Sequence, residues 1–530
     1  MARGAMRTEA PARRGPPRRP GALAVLCIAV LVVNLDNTVL NVALPTLVKK
    51  LSATTGQLQW TVDAYAVVFG GCLLVAGSLA DRLGRKRLFL AGLAVVGAGS
   101  LGAAFSGSVN ALIACRAVMG AGAAMTVPSA LSILDDLFRE PAERERAISL
   151  WSGTIGLGIA IGPVAGGALL SRFWWGSVFL VNVPVVLVGI AGTLVLVPSS
   201  RSLTPRKPDP VGALLSITAL VLVLWAVIEG PDRSWGSGEV VSTGAGGLAI
   251  LAGFVVWERR SAHPMLPLEY FGRRRFSIAL VGLFLGVFAL FGGLFVLTQF
   301  LQFSLGYSPL GAGLRVLPLS AVVAAGALAS RRCVTWAGTR LSAAAALSCI
   351  VAGLSEVAAT CTATATYARE LPGMLLMGLG AGLLLPTCIG SVLGTLAQDD
   401  AGVGSATNST ATQVGGAVGV AVVGSALSTR YQHHMHSVLA GRAVPAVGLH
   451  DILGSLGGAL IVARFVGGIL GAELSAAAKA GFADGTRAGM FVAAVVTGGG
   501  VVLVLAALPS RAGHPEAKVA MREGLRVEGP

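Results

Sequence analysis

Gly77-Ser78-Leu79-Ala80-Asp81-Arg82-Leu83-Gly84-Arg85-Lys86-Arg87 lies between two apolar runs, Trp60 to Ala80 and Leu88 to Ser106. Each run is long enough to cross a bilayer at about twenty residues per span, so two successive spans share a short, densely charged turn. Gly77 and Gly84 let helix ends approach closely and let the chain reverse. Asp81 is the only anion among the cations Arg82, Arg85, Lys86 and Arg87. Its carboxylate is placed to meet a neighbouring helix N-terminus, whose free amides carry about half a positive charge. The cations hold the turn on the cytoplasmic side, and the turn reads as a latch between rigid bodies.

Composition points the same way. Of 530 residues, 54% are hydrophobic and 12% charged, with a mean hydropathy of +0.77. That is too little charge for an ordinary water-facing surface. The formal net charge of +15 would suit nucleic acid. The cations nevertheless fall in short clusters between apolar runs, as topology signals do, and no nucleic-acid partner is expected. Seven cysteines are scattered, with no Cys-x-x-Cys pair, and read as small packing residues. The arginines from Arg3 to Arg19 precede an apolar run that continues past Pro45 without a cleavage site, which reads as a retained first span.

About fourteen spans follow in a six plus two plus six pattern, so the expected fold is all-α and integral to the membrane. The expected organisation is a basic tail at 1–21, a six-helix bundle over 22–200, and a linker with two extra helices over 201–258. A connection over 259–275 then leads to a second six-helix bundle over 276–508, with an outer loop at 430–487 and a tail at 509–530. With both termini in the cytoplasm, the basic clusters at 82–87, 144–146, 206–207, 259–260, 273–275 and 331–332 all fall on inner loops. Only Gln398 to Asp400 is acidic where cations are expected. A fifteenth span at Ile452 to Leu470 would put Arg511, Lys518, Arg522 and Arg526 outside, so a helix lying on the membrane is expected around Leu453 to Leu474. His433, His434 and His436 lack acidic or cysteine partners nearby, and no metal is expected. Two six-helix halves around a midplane site are a common plan of secondary transporters.

The turn at 77–87 resembles the G-x-L-a-D-r-x-G-r-k signature between helices two and three of the major facilitator superfamily. That resemblance implies a cytoplasmic gate built from Gly77, Asp81, Arg82, Gly84, Arg85 and Lys86. The second half carries a degenerate echo, Ala329-Ser330-Arg331-Arg332 with Gly338-Thr339-Arg340, and no aspartate. Asp36 stands inside the first span, where a carboxylate costs several kcal/mol unless paired, hydrated or protonated. Its surroundings, Leu35-Asp36-Asn37-Thr38-Val39-Leu40-Asn41-Val42-Ala43-Leu44-Pro45, resemble the L-D-x-T-i-v-N-v-A-L-P signature of the fourteen-helix drug:proton antiporters within that superfamily. Asp36 is then a proton carrier or the counter-charge of a cationic substrate; a structural hydrogen bond is the alternative.

Asp63, in Gln59-Trp60-Thr61-Val62-Asp63-Ala64-Tyr65, resembles the l-q-W-v-v-d-a-Y block of the same subgroup. It either meets a proton or organic cation near the outer end of its span, or is hydrated and idle. Arg116, in Cys115-Arg116-Ala117-Val118-Met119-Gly120-Ala121-Gly122, resembles the R-x-x-q-G-x-g motif of proton-coupled members. A guanidinium stays charged, so inside the fourth span it would bias a carboxylate's proton as helices move; snorkelling to the outer surface is the alternative.

The run from Gly156 to Gly167 could pass for a dinucleotide loop, but no strand precedes it and no acid follows at the proper distance. Instead Gly158, Gly162, Gly166 and Gly167 make a smooth face for helix packing and Pro163 bends the helix. The run resembles the antiporter signature g-x-x-x-G-P-x-x-G-G, found mainly in exporters. Further blocks at Phe179 to Pro184, His263 to Leu266 and Gln299 to Pro318 extend the similarity over nearly the whole chain except the tails and the last outer loop. Candidate cavity residues are Asn37, Asn41, Gln299, Gln302, Asn408 and Gln413, with Gln299 and Gln302 serving equally well as helix-to-helix bonds.

Exporters of divalent cations in this subgroup carry carboxylates in the thirteenth helix, where this chain reads Asn408-Ser409-Thr410-Ala411-Thr412-Gln413. The expected protein is a monomeric, cofactor-free plasma-membrane exporter of lipophilic monovalent or neutral drugs, dyes or antibiotics, coupled to protons. Carriage of an endogenous metabolite, as uptake or export, is the alternative; uptake is opposed by Gly162-Pro163. A membrane enzyme or channel lacks any nucleophile set or His/Cys/Asp cluster.

Overall fold

The computed structural model describes residues 19–138, 140–200, 208–261, 264–265, 268–396, 401–440 and 446–509. The two tails, the basic linker at 201–207, the acidic stretch at 397–400 and parts of the block beginning at His263 lie outside the described residues. Among the described residues every regular element is helical. The first bundle is α1 (Arg19–Leu51), α2 (Thr55–Leu83), α3 (Arg85–Ala104), α4 (Val109–Leu137), α5 (Pro141–Arg172), and α6 (Ser177–Leu180) leading into α7 (Asn182–Leu196). A hairpin of α8 (Pro210–Arg233) and α9 (Gly238–Arg260) and a single turn, α10 (Leu268–Phe271), come next. The second bundle is α11 (Arg274–Gln299), which continues as a π-helical turn at Phe300–Ser304, then α12 (Pro309–Thr360), α13 (Tyr367–Leu393), α14 (Ala401–Leu439), α15 (Ala446–Gly454), α16 (Leu456–Val466) and α17 (Gly468–Ala507). Caps set several starts: the Thr54 hydroxyl and the Gln57 side chain satisfy each other's backbone amides at α2, and Ser108 and Ser308 cap α4 and α12.

Among the described residues twelve helices are long and apolar enough to cross a membrane, or thirteen when α2, bent by 55° beyond Leu73, is taken as one span. The fourteen expected from sequence are reached only by dividing α12 at Gly338, whose φ of 77° and ψ of 167° break the helix. Its arms, 309–337 and 339–360, are each of spanning length.

The last outer loop differs most from the sequence reading. Instead of one surface helix in a loop from 430 to 487, α14 runs on to Leu439 and α17 already starts at Gly468. The two overshoot because their extra turns bury Tyr431, Met435, Ala478 and Phe482, which removes apolar surface from water. Between them α15 and α16 fold back, held by the Tyr431 hydroxyl, which donates to the Ile452 carbonyl at 2.8 Å. The positive φ of Gly467 and Gly468, 64° and 56°, separates α16 from α17.

The bundles meet along two seams, α2 against α14 and α5 against α12. Helix α8 lies on the first. Its Val227 carbonyl accepts from Ser425 Oγ at 2.7 Å, and Val67, Leu224, Ile228, Ala417 and Ala421 form one buried cluster across α2, α8 and α14.

Candidate functional site: a buried ion pair between two seams

Arg116 and Asp36 are 0% and 3% exposed, and Arg116 Nη1 forms an ion pair with Asp36 Oδ2. The other carboxylate oxygen accepts from Asn182 Nδ2 at 2.9 Å, and the same amide reaches Ser100 Oγ at 3.3 Å. Arg116 Nε donates to the Thr61 carbonyl at 3.0 Å, and the guanidinium lies over the Tyr65 ring at 4.4 Å. Helices α1, α2, α3, α4 and α7 thus converge on one charge pair. Arg116 does not snorkel to a surface. Both ions have lost their water, so their mutual attraction and these bonds offset desolvation, and removing one partner strands the other.

Asp63 is 0% exposed, and neither carboxyl oxygen has a hydrogen-bond partner. It is not hydrated. Gln59 and Gly70 place it: Gln59 Nε2 donates to the Val420 and Ala421 carbonyls of α14 at 3.1 and 2.8 Å, and Gly70 faces Gln413. Asp63 stands four residues after the first and seven before the second, on the same helical face, and so in the α2–α14 seam.

The glycine run of α5 has two faces. Gly158, Gly162 and Gly166 lie against Asn34, Thr38 and Val39 of α1, where Thr38 Oγ1 donates to the Gly158 carbonyl at 3.1 Å. Gly167 lies against the α12 backbone at Pro309 and Leu310, and the Pro163 carbonyl against Gly313. Both seams therefore close toward the end of the molecule opposite the basic turn, here called the far end. A small cavity there, between Val48, Thr54, Asp451 and Ser455, measures about 40 Å³. Near the basic end, residues from Ala142 to Leu157 of α5 border a cavity of about 1020 Å³, with Arg146, Ser149 and Thr154 in its wall. These three repeat at helical spacing, the one signal that could have singled them out beforehand.

The basic turn keeps its bonds inside the first bundle. Gly84, with φ of 103°, passes the chain directly from α2 to α3. Arg85 joins Asp136 at 2.5 Å, Asp81 at 3.4 Å and the Ser132 carbonyl at 3.0 Å, while Lys86 Nζ caps α7 at the Leu194 and Val197 carbonyls, 3.0 and 2.7 Å away. Arg82 is exposed. Asp81 thus meets Arg85 one turn on rather than a helix N-terminus, because α3 begins at Gly84 with no side-chain cap. Among the described residues nothing lies within 4 Å of the place where a Gly77 side chain would be.

The expected cavity residues divide. Asn408 is buried with neither amide atom partnered, and Asn41 bonds only weakly to the Asn37 carbonyl, at 3.5 Å. Gln299 donates to its own helix at Phe295, whereas Gln302 donates across to the Val42 carbonyl of α1 at 2.9 Å and is a helix-to-helix bond. Asn182 and Ser100 were not singled out from sequence.

The family model described as Major Facilitator Superfamily matches residues 26–420. Similar proteins include the multidrug efflux pump LfrA of Mycolicibacterium smegmatis, 35% identical over 91% of this chain and 95% of its own length. The methylenomycin A resistance protein of Streptomyces coelicolor is 35% identical over 87% and 96%, and the puromycin resistance protein pur8 of Streptomyces alboniger 34% identical over 79% and 84%. In fold, the chain is similar to a bacterial homolog of the human lysosomal transporter Spinster, solved in an inward-facing and unoccupied conformation. The TM-score is 0.66 at 18% identity, covering 93% of this chain and 98% of that one.

Proposed function

The chain belongs to the Major Facilitator Superfamily, and on that premise we propose that it exports lipophilic drugs, dyes or antibiotics from the cell in exchange for protons. It is a multi-pass membrane transporter and not an enzyme. Our reading places it in the plasma membrane as a single chain with both termini in the cytoplasm, its two six-helix bundles rocking about a midplane site while α8 and α9 brace one seam. The efflux and resistance proteins named above support export. The observation that carries proton exchange is the buried Asp36–Arg116 pair with Asn182 on its free oxygen.

With the basic turn inside, the far end is the outer one and the molecule faces inward. Drug enters the cavity along α5 and meets Asn37, Asn41, Asn408 and Gln413. An ionised carboxylate in the closed outer seam has no donor and costs several kcal/mol, so that seam closes on Asp63 carrying a proton taken from outside. A proton leaving Asp36 toward the cytoplasm lets the acid pair with Arg116, and the pair breaks when the next proton arrives. One proton entering down roughly 150 mV and half a pH unit releases about 4 kcal/mol, enough for a drug gradient near a thousandfold.

The test is ethidium accumulation in an efflux-deficient bacterial host. Expression is expected to lower accumulation several-fold, and an uncoupler to restore it. Accumulation unchanged by expression would overturn export, accumulation raised by expression would show uptake, and lowered accumulation insensitive to the uncoupler would overturn proton exchange.

A further inference from the structure

The second bundle buries acids of its own, away from both seams. Glu370, in the first turn of α13, is 0% exposed, and neither carboxyl oxygen has a hydrogen-bond partner. Glu356, near the end of α12, lays its Oε2 over Gly373, where a side chain of any kind would displace it; that oxygen is also unpartnered. The two carboxyls lie within electrostatic reach of each other. From a third helix, α17, Thr486 is 0% exposed with its hydroxyl unpartnered. It lies beside the Cys361 thiol, which is within electrostatic reach of Glu370 and Arg487. The Thr360 hydroxyl donates to the Glu356 carbonyl at 3.0 Å and also lies beside Glu370, and Arg369 is exposed.

Four buried oxygens from three helices therefore gather around a single hydrogen, that of the Thr486 hydroxyl. Two ionised carboxylates there would repel each other around that one donor, at a cost of several kcal/mol. A proton shared by the pair removes one charge and supplies a second O–H. A metal fits poorly beside Arg487, and among the described residues no group of three or more His, Cys, Asp or Glu could hold one.

The position has a counterpart in the first bundle, as repeated halves require. Ser100 stands four residues before the end of α3 at Ala104, and Glu356 four before the end of α12 at Thr360. Arg116 and Glu370 lie in the opening turns of the following helices, α4 and α13, and Asn182 and Thr486 come from α7 and α17. We propose that Glu370 and Glu356, with Thr486, form a second proton-binding site, sharing one proton in the second bundle near the far end. Its use in transport rests on the proton-exchange reading; its existence does not.

Infrared difference spectra of the purified full chain, taken as pH is varied, report carboxylic acids directly. A carbonyl band present in the unsubstituted chain, in Asp36→Asn and in Asp63→Asn is expected to vanish in Glu370→Gln. Glu370→Asp, which keeps an acid and so guards against a folding fault, is expected to keep a band. The same spectrum from Glu370→Gln as from the unsubstituted chain overturns the proposal, and so does a band abolished by sodium chloride at constant pH, which would make the occupant a metal cation. A chain that exports no dye but shows the Glu370 band leaves this site standing, whereas a dye exporter without the band loses it.

Discussion

Asp36→Asn is expected to reduce dye export to that of cells lacking the protein, and to lower the thermal stability of the purified chain as well. The amide cannot exchange a proton. It also leaves Arg116 as a cation in a fully buried position, with only the Thr61 carbonyl and the Tyr65 ring to compensate it. Breaking a buried pair from one side costs about 3–5 kcal/mol. A second change, Arg116→Gln, removes the stranded charge. The double variant is therefore expected to regain much of the stability and none of the export. Parallel melting curves and dye assays separate these effects. Wild-type export by Asp36→Asn would remove the acid from the mechanism, and a double variant no more stable than the single one would show that the pair's electrostatics had been misjudged.

Gly167→Leu and Gly77→Leu are expected to push the conformational balance in opposite directions. At Gly167 even a Cβ would come within 2.6 Å of Leu310 Cα and 2.7 Å of the Pro309 carbonyl, and backbone cannot move aside as a side chain can. Overpacking of this kind costs about 1–3 kcal/mol, about a 5- to 150-fold shift away from the form whose far end is closed. At Gly77 nothing among the described residues stands within 4 Å, so leucine fits this form and obstructs only the one in which the basic ends meet. Spin labels on the far ends of α5 and α12, and separately on the basic ends of α2 and α14, read the two openings. Far-end distances are expected to lengthen in Gly167→Leu, while basic-end distances stay long in Gly77→Leu even when substrate is added. Shifts in the same direction for both variants would contradict alternation between the two seams.

Sequence patterning revealed these helices and their basic turn because a span of apolar residues bounded by arginines has few other physical readings. It also exposed Asp36, Asp63 and Arg116, since charge inside an apolar run is costly wherever the helix ends up. It did not reveal their partners. Arg116 and Asn182 stand 80 and 146 positions from Asp36, and only bundle packing decides which of many asparagines and serines reaches it. The same limit hid Glu370 and Thr486, which lie in stretches where one polar residue near a helix end is unremarked. Asp81 was placed at a helix N-terminus on general electrostatic grounds, but Gly84 brings α3 in so directly that Arg85 is closer. The overrun of α14 and α17 went unread because their outer turns are polar on one side and buried only against each other and against α15 and α16.

Proton release on substrate binding tests the exchange at Asp36 most directly. A dye exported in cells is added to the purified chain in weakly buffered detergent solution, and the pH is followed with an indicator. Release of protons by the unsubstituted chain, absent in Asp36→Asn, is the expected result; equal release from both would contradict it.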